Sequence, residues 1–162
     1  MKKAILGFSL SAALLIPASF AAAAEGARPT DEQKALLEAK TEYVQSLPEQ
    51  MNIKSGFTAY SGKRLTVKRG SFLAWSKDYI DWYYNGKKIS SSSGSQDVGF
   101  IFPNIVKAKG IKRYYKSSGL HKWRAKKTHS IGTVTPWGDV VLTSTTYTDR
   151  KWVNKKGKYG SD

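Results

Sequence analysis

Asn85-Gly86 stands between two runs suited to extended chain. Asp78-Tyr79-Ile80-Asp81-Trp82-Tyr83-Tyr84 precedes it and residues 87–90 follow it. An Asn-Gly pair in that setting is the strongest short signal of a β-hairpin, because the tight turn needs residues that accept positive φ. Similar signals recur along the chain. Residues 57–60, 65–68 and 71–76 are short runs rich in aromatic and β-branched side chains, separated by Gly62 and Gly70. A Ser-rich tract at 91–95 reads as a loop, and 98–106 is an apolar run broken by Pro103. Candidate strands follow at 111–116, 120–124 and 130–135, then a turn at Pro136-Trp137-Gly138-Asp139. A Val- and Thr-rich run at 140–147, a last strand at 150–154 and a frayed polar end at 155–162 complete the pass. Many short strands with close turn signals predict a mainly β domain, one small antiparallel sandwich or barrel. Trp75, Trp82 and Trp152 are expected to pack in its core or along its edges.

The start of the chain has a different character. Lys2 and Lys3 precede an apolar stretch at 4–16, Pro17 breaks it, and Ser19-Phe20-Ala21 and Ala22-Ala23-Ala24 are small-x-small sites. That is the pattern of a secretory signal peptide, expected over residues 1–24. The apolar stretch is short for a span of about 20 residues, so no transmembrane anchor is expected after cleavage. The expected location is extracellular or cell-wall associated. The chain has no cysteine. Export without disulfides fits a Gram-positive bacterium, and it removes thiol nucleophiles and Cys-based metal sites.

Residues 25–52 carry six acidic and three basic side chains, whereas residues 53–162 carry 22 basic and six acidic ones. Thr30 with Gln33 forms a capping-box pattern. Leu36, Leu37, Tyr43, Val44 and Leu47 recur at helical spacing, and Pro48 ends the run. The expectation is an acidic N-terminal segment, 25–52, with an amphipathic helix over 31–47, attached to a basic β-rich domain, 53–162.

The charge concentrates between residues 107 and 134. Lys107, Lys109, Lys112, Arg113, Lys116, Lys122, Arg124, Lys126 and Lys127 fall there without an acidic residue among them. Tyr114, Tyr115 and Trp123 are interleaved with these cations. Lysine and arginine supply attraction to an anionic polymer that weakens with salt, and aromatic rings stack on sugars or bases or sit at a membrane interface. The predicted binding residues are Lys112, Arg113, Tyr114, Tyr115, Lys116, Lys122, Trp123, Arg124, Lys126 and Lys127. Their expected partner is teichoic acid or an anionic lipid surface, with nucleic acid as a further anionic candidate. The bland reading of such a run is a solvated face. No cofactor is called for, and no His, Asp or Glu cluster has metal-ligand spacing.

His121 and His129 suggest an alternative, a secreted nuclease using them as general acid and base with Arg124 or Lys126 holding the anion. Eight residues separate the two, a permissive spacing. A third alternative is a structural protein whose exposed strand edges self-associate. Glycoside hydrolysis is poorly served, since the acidic side chains of the β-rich part fall in turn-like contexts.

Two resemblances bear on these expectations. Residues 81–89, with Trp82-Tyr83-Tyr84-Asn85-Gly86-Lys87-Lys88, look like the third strand and turn of immunoglobulin-like domains, though both cysteines of that pattern are missing. Arg113-Tyr114-Tyr115, then Lys127-Thr128-His129-Ser130 with Val134, and Trp152 beyond, resemble the lactococcin type of secreted, unmodified bacteriocin. That resemblance covers at most the C-terminal third. It implies a small disulfide-free β-sandwich that acts on the envelope of Gram-positive cells. The chain departs from that pattern in length, in its N-terminal segment and in its heavier charge.

Overall fold

The computed structural model describes residues 31–52, 58–135 and 138–162. The expected signal peptide, Gly56, and Pro136 with Trp137 lie outside these residues. One short helical stretch, α1 (Asp31–Glu38), precedes eight strands. They are β1 (Lys40–Asn52), β2 (Thr58–Gly70), β3 (Ala74–Tyr84), β4 (Ile89–Phe100), β5 (Ile105–Lys116), β6 (Leu120–Thr135), β7 (Gly138–Asn154) and β8 (Tyr159–Ser161). Each four-stranded antiparallel sheet runs in sequence order, β1-β2-β3-β4 and β5-β6-β7-β8. The architecture is mainly β.

The Asn85-Gly86 signal holds. Residues 85–88 join β3 to β4, Asn85 Oδ1 accepts hydrogen bonds from the Lys87 and Lys88 amides, and Gly86 has φ +82°. Only the glycine takes positive φ, because the loop is longer than a two-residue turn.

Several local expectations are corrected by pairing. Residues 40–47 are not helical but form most of β1, where Val44 pairs with Leu65 and Glu42 with Val67. The helical spacing of Tyr43, Val44 and Leu47 is coincidental; a long ladder against β2 satisfies the backbone and brings Glu42 and Val44 to the inner side. The expected boundary after residue 52 therefore cuts between two partner strands. Pro48 ends no element and sits at an irregularity between Leu47 and Gln50, on an edge strand where a missing amide is tolerated. The 91–95 serine tract is mid-β4 rather than a loop, paired with Tyr83 to Tyr79. The polar end is not wholly frayed, since β8 pairs with β7.

Strand alternation sorts the side chains. Along β3, Ala74, Ser76, Asp78, Ile80 and Trp82 are buried and the residues between them are half-buried. One apolar cluster joins Leu65, Val67, Ile80, Trp82, Ile89, Trp123 and Val153. A smaller one, toward the other end, joins Ala74, Val106 and Ile131. Between them the interior is charged. Lys127 is fully buried and ion-paired to both Asp78 and Asp149. Arg69 Nη2 lies 2.9 Å from Asp149 Oδ1, Lys40 Nζ 3.4 Å from the same oxygen, and Glu42 pairs with Lys40 at 2.9 Å and with Lys151. Gln96 donates to Asp78 at 2.7 Å. This network ties both sheets together, and each charge in it needs its partners, because burying an unpaired charge costs several kcal/mol.

One end of the sandwich is stitched by backbone bonds between the sheets. The Gly86 amide donates to Lys155 O and the Ile89 amide to Ser118 O; within the second sheet the Lys155 amide donates to Gly119 O. The opposite end carries the 71–73 and 101–104 loops, joined by the Ile101 amide donating to Leu73 O at 2.7 Å.

Candidate functional site: the outer face of the second sheet

The predicted binding residues lie on β5 and β6, and the two-residue period of a strand divides them. On β6, His121, Trp123, Ala125, Lys127 and His129 point inward and are buried, whereas Lys122, Arg124 and Lys126 point outward. Two of the predicted binding residues are thereby corrected. Trp123 belongs to the apolar cluster, and Lys127 belongs to the buried ion network. Neither is available to a ligand on the outer surface.

Arg113 lies over the Trp123 ring, 5.5 Å from its centroid, and its Nη1 donates to Ser92 O and Oγ at 3.2 Å. It bridges the two sheets along their edge rather than joining the outer face. Lys116 pairs with His121 at the stitched end and is exposed. Lys107, Lys109, Lys112 and Lys116 all lie on β5, an edge strand. Charge there discourages another strand from adding, which weighs against self-association through that edge.

The outer face is built in cross-strand rows. Lys112 pairs with Arg124, and Arg124 with Arg150, so three cations on three neighbouring strands share one row. Tyr115 pairs with Lys122, and Lys122 with Trp152, in the row toward the stitched end. Lys126 pairs with Thr148 in the row on the other side, followed by Thr128 with Thr146 and Ser130 with Ser144. Thr128 Oγ1 and Thr146 Oγ1 are hydrogen bonded at 2.8 Å, and Ser130 Oγ donates to Ser144 Oγ at 3.0 Å. The face is thus cationic and aromatic at one end and hydroxyl-rich at the other.

Arg124, Arg150 and Tyr114 line a shallow concavity of about 210 Å³. Like charges placed directly opposite one another in a sheet repel. Among the described residues no carboxylate lies within ion-pairing distance of Lys112, Arg124 or Arg150. The nearby carboxylate, Asp162, is engaged elsewhere: it takes a 2.6 Å ion pair from Lys122 and a hydrogen bond from the Tyr114 hydroxyl. Those two contacts hold the Asp162 carboxyl below its usual value, and Asp162 raises the Lys122 ammonium in return. Burial and then Asp162 push the Tyr114 phenol up.

Arg150 and Trp152 are not among the predicted residues, although they complete the face. The sequence holds a partial signal: the turn at 136–139 folds residues near 150 back beside 124. Simple counting from that turn would pair Arg124 with Asp149. An extra residue on β7, between Val141 and Thr143, shifts the register. That bulge turns Arg150 out beside Arg124 and Asp149 in toward Lys127.

The two histidines do not form a common site. Both lie on the inner side of β6 and are buried, about 26 Å apart at the usual strand rise. His121 Nδ1 is hydrogen bonded to Ser92 Oγ at 2.6 Å, and His129 Nε2 to Ser76 Oγ at 3.2 Å. Burial is the main reason both imidazoles are held below their usual value. Arg113 and Lys116 add to it at His121. At His129, which falls to about 4, Lys127 and Arg69 add to it. One phosphodiester cannot reach both, so the acid–base pair envisaged for a nuclease has no shared geometry. Asp78 and Asp81 are not turn residues but mid-strand partners, of Lys127 and of Arg64 at 2.7 Å. Among the described residues no group of three or more His, Asp or Glu side chains is placed to hold a metal ion.

The outer face of the first sheet differs. Arg64 pairs with Asp81 there, and Asp97 stands opposite Lys77, so carboxylates face two of its cations while Lys68, opposite Lys77, faces none among the described residues. No family model, no curated protein and no solved structure matches this chain.

Proposed function

We propose that this is a secreted, cationic, non-enzymatic protein that binds an anionic polymer of the Gram-positive cell envelope, of the teichoic acid type, through the outer face of the second sheet. The observation that carries the reading is the row Lys112–Arg124–Arg150, three unneutralised cations in register beside Tyr114. A polyphosphate chain running across the strands would relieve that repulsion. Arginine forks suit bidentate phosphate contacts, and Tyr115 and Trp152 offer flat surfaces to sugars. The hydroxyl ladder of Thr128, Thr146, Ser130 and Ser144 would add neutral hydrogen bonds along the same track. The bacteriocin resemblance agrees with an envelope target and adds an antimicrobial consequence to the proposal.

Co-sedimentation with purified cell walls, with and without teichoic acid, across a salt series tests it. Binding should require teichoic acid and weaken steeply with salt. Neutralising Lys112, Arg124, Lys126 and Arg150 together should flatten the salt slope by about 3, at roughly 0.7 for each phosphate left unneutralised. Lys127 is kept intact in that variant, since its removal would strand two buried carboxylates. Unchanged binding by the variant, or salt-resistant binding to stripped walls, would reject the assignment.

A further inference from the structure

A second surface stands apart from the basic face. At the end of the sandwich that lacks the backbone stitches, Phe72 is 74% exposed, Ile101 and Phe102 are each 53% exposed and Phe100 is 49% exposed. Phe72 belongs to the turn between β2 and β3, and the other three to the connection from β4 to β5. The bond from the Ile101 amide to Leu73 O holds the two loops side by side, so the four side chains make one apolar tip. Monomeric proteins seldom leave so many large apolar groups together without a use.

The surroundings of the tip indicate what covers it. Its backbone is largely satisfied from within. The Ser71 amide donates to Ala74 O, Leu73 to Ser71 Oγ and Asn104 to Ile101 O. A loop whose polar backbone groups already have partners can enter an apolar medium without stranding them. Just behind the tip, Trp75 lies over Gly99, and Lys77 Nζ sits 5.0 Å above the Trp75 ring. Lys68 pairs with Lys77 two residues back from the Gly70–Trp75 rung, about 7 Å at the usual strand rise. On the other sheet Lys107 occupies a similar position and is exposed. Asp97, opposite Lys77, is one carboxylate among them, and exposed Glu38 lies at the same end, where Ala39 O accepts from the Gly70 amide. An apolar end, then a tryptophan, then lysines at headgroup depth is the arrangement that suits a charged bilayer surface.

We propose that the tip formed by Phe72, Phe100, Ile101 and Phe102 inserts into the surface of an anionic lipid bilayer, with Trp75, Lys68, Lys77 and Lys107 at the headgroups. The apolar tip and the Lys112–Arg124–Arg150 row are separate; Lys107, cross-strand from Thr128, is the lysine that borders both surfaces, so either proposal can fail alone at its own residues.

The absence of cysteine permits a site-specific test in the full chain. Phe102→Cys and, as control at the stitched end, exposed Ser118→Cys would each carry an environment-sensitive fluorophore. Vesicles of phosphatidylcholine with about a third phosphatidylglycerol should shift the probe at 102 to the blue and bring it within reach of an acyl-chain quencher. The probe at 118 should stay solvated. Phe72→Ser with Phe102→Ser should weaken vesicle binding at least about tenfold, since each side chain loses most of its transfer free energy. A probe at 102 that stays solvated on bound vesicles would overturn the proposal. So would a blue shift in buffer that grows with protein concentration, which would assign the tip to a second copy. A probe shielded in dilute buffer from the outset would assign it to another segment of the same chain, and equal binding to neutral vesicles would remove the role of the lysines.

Discussion

Acid should weaken this fold through one buried imidazole. His129 is 1% exposed, its Nε2 is 3.2 Å from Ser76 Oγ, and its Nδ1 has no hydrogen-bond partner. Burial first, then Lys127 and Arg69, disfavours its cation and lowers it to about 4, against a pull the other way from Asp149. In the unfolded chain the same group titrates near 6.5. The native state therefore binds fewer protons than the unfolded state between these values. Stability is fully present above pH 6.5 and is lost as pH falls toward 4, where the loss levels off. Linkage puts the part lost between pH 7 and pH 5 at about 2 kcal/mol. The assay is urea unfolding of the wild type and of His129→Gln at both pH values. The variant will be less stable throughout, but its drop between the two pH values should be smaller than that of the wild type by about 2 kcal/mol. Contributions from His121 and the carboxylates are common to both chains and cancel. Equal drops would contradict this account, because they would mean that His129 titrates alike in both states.

The remaining expectations concern single residues. Asp149→Asn removes a carboxylate shared by Lys127, Arg69 and Lys40, and should cost about 3–5 kcal/mol in urea unfolding at pH 7. Burial pushes the Asp149 carboxyl up, but Lys127 and then Arg69 outweigh it and hold the group far below its usual range, so that contribution is present above about pH 4 and fades as pH falls further. Arg150→Thr should raise stability by about 0.2–1 kcal/mol, by relieving the repulsion from Arg124, while wall binding falls. Gain of stability without loss of binding would separate that repulsion from function. Gly157→Ala should cost about 1–3 kcal/mol in thermal unfolding, since Gly157 has φ +73° and an added Cβ would collide with the Tyr84 hydroxyl.

A good part of the fold is legible in the sequence because it depends on local chemistry. The mainly β character, the short connections within each antiparallel meander and the Asn85-Gly86 hairpin follow from aromatic and β-branched runs and from turn residues. What misleads is also local. Residues 40–47 carry a helical spacing, and residues 91–95 carry loop composition, yet each is held in a strand by its neighbour's ladder. Pairing of that kind is a long-range contact, and no window of sequence contains both partners.

The candidate site divides along the same line. The excess of cations, their crowding after residue 106 and their mingling with aromatics are properties of the chain before it folds. Which of them meet is settled by strand pairing. The period of two turned Lys122, Arg124 and Lys126 outward and sent Trp123 and Lys127 inside, where one packs and the other joins two aspartates. One bulge on β7 then set Arg150 beside Arg124 and put Asp149 in the interior. A shift of one residue moves every following side chain to the opposite face, so a row of three cations and a buried ion network both hang on a register that composition does not record.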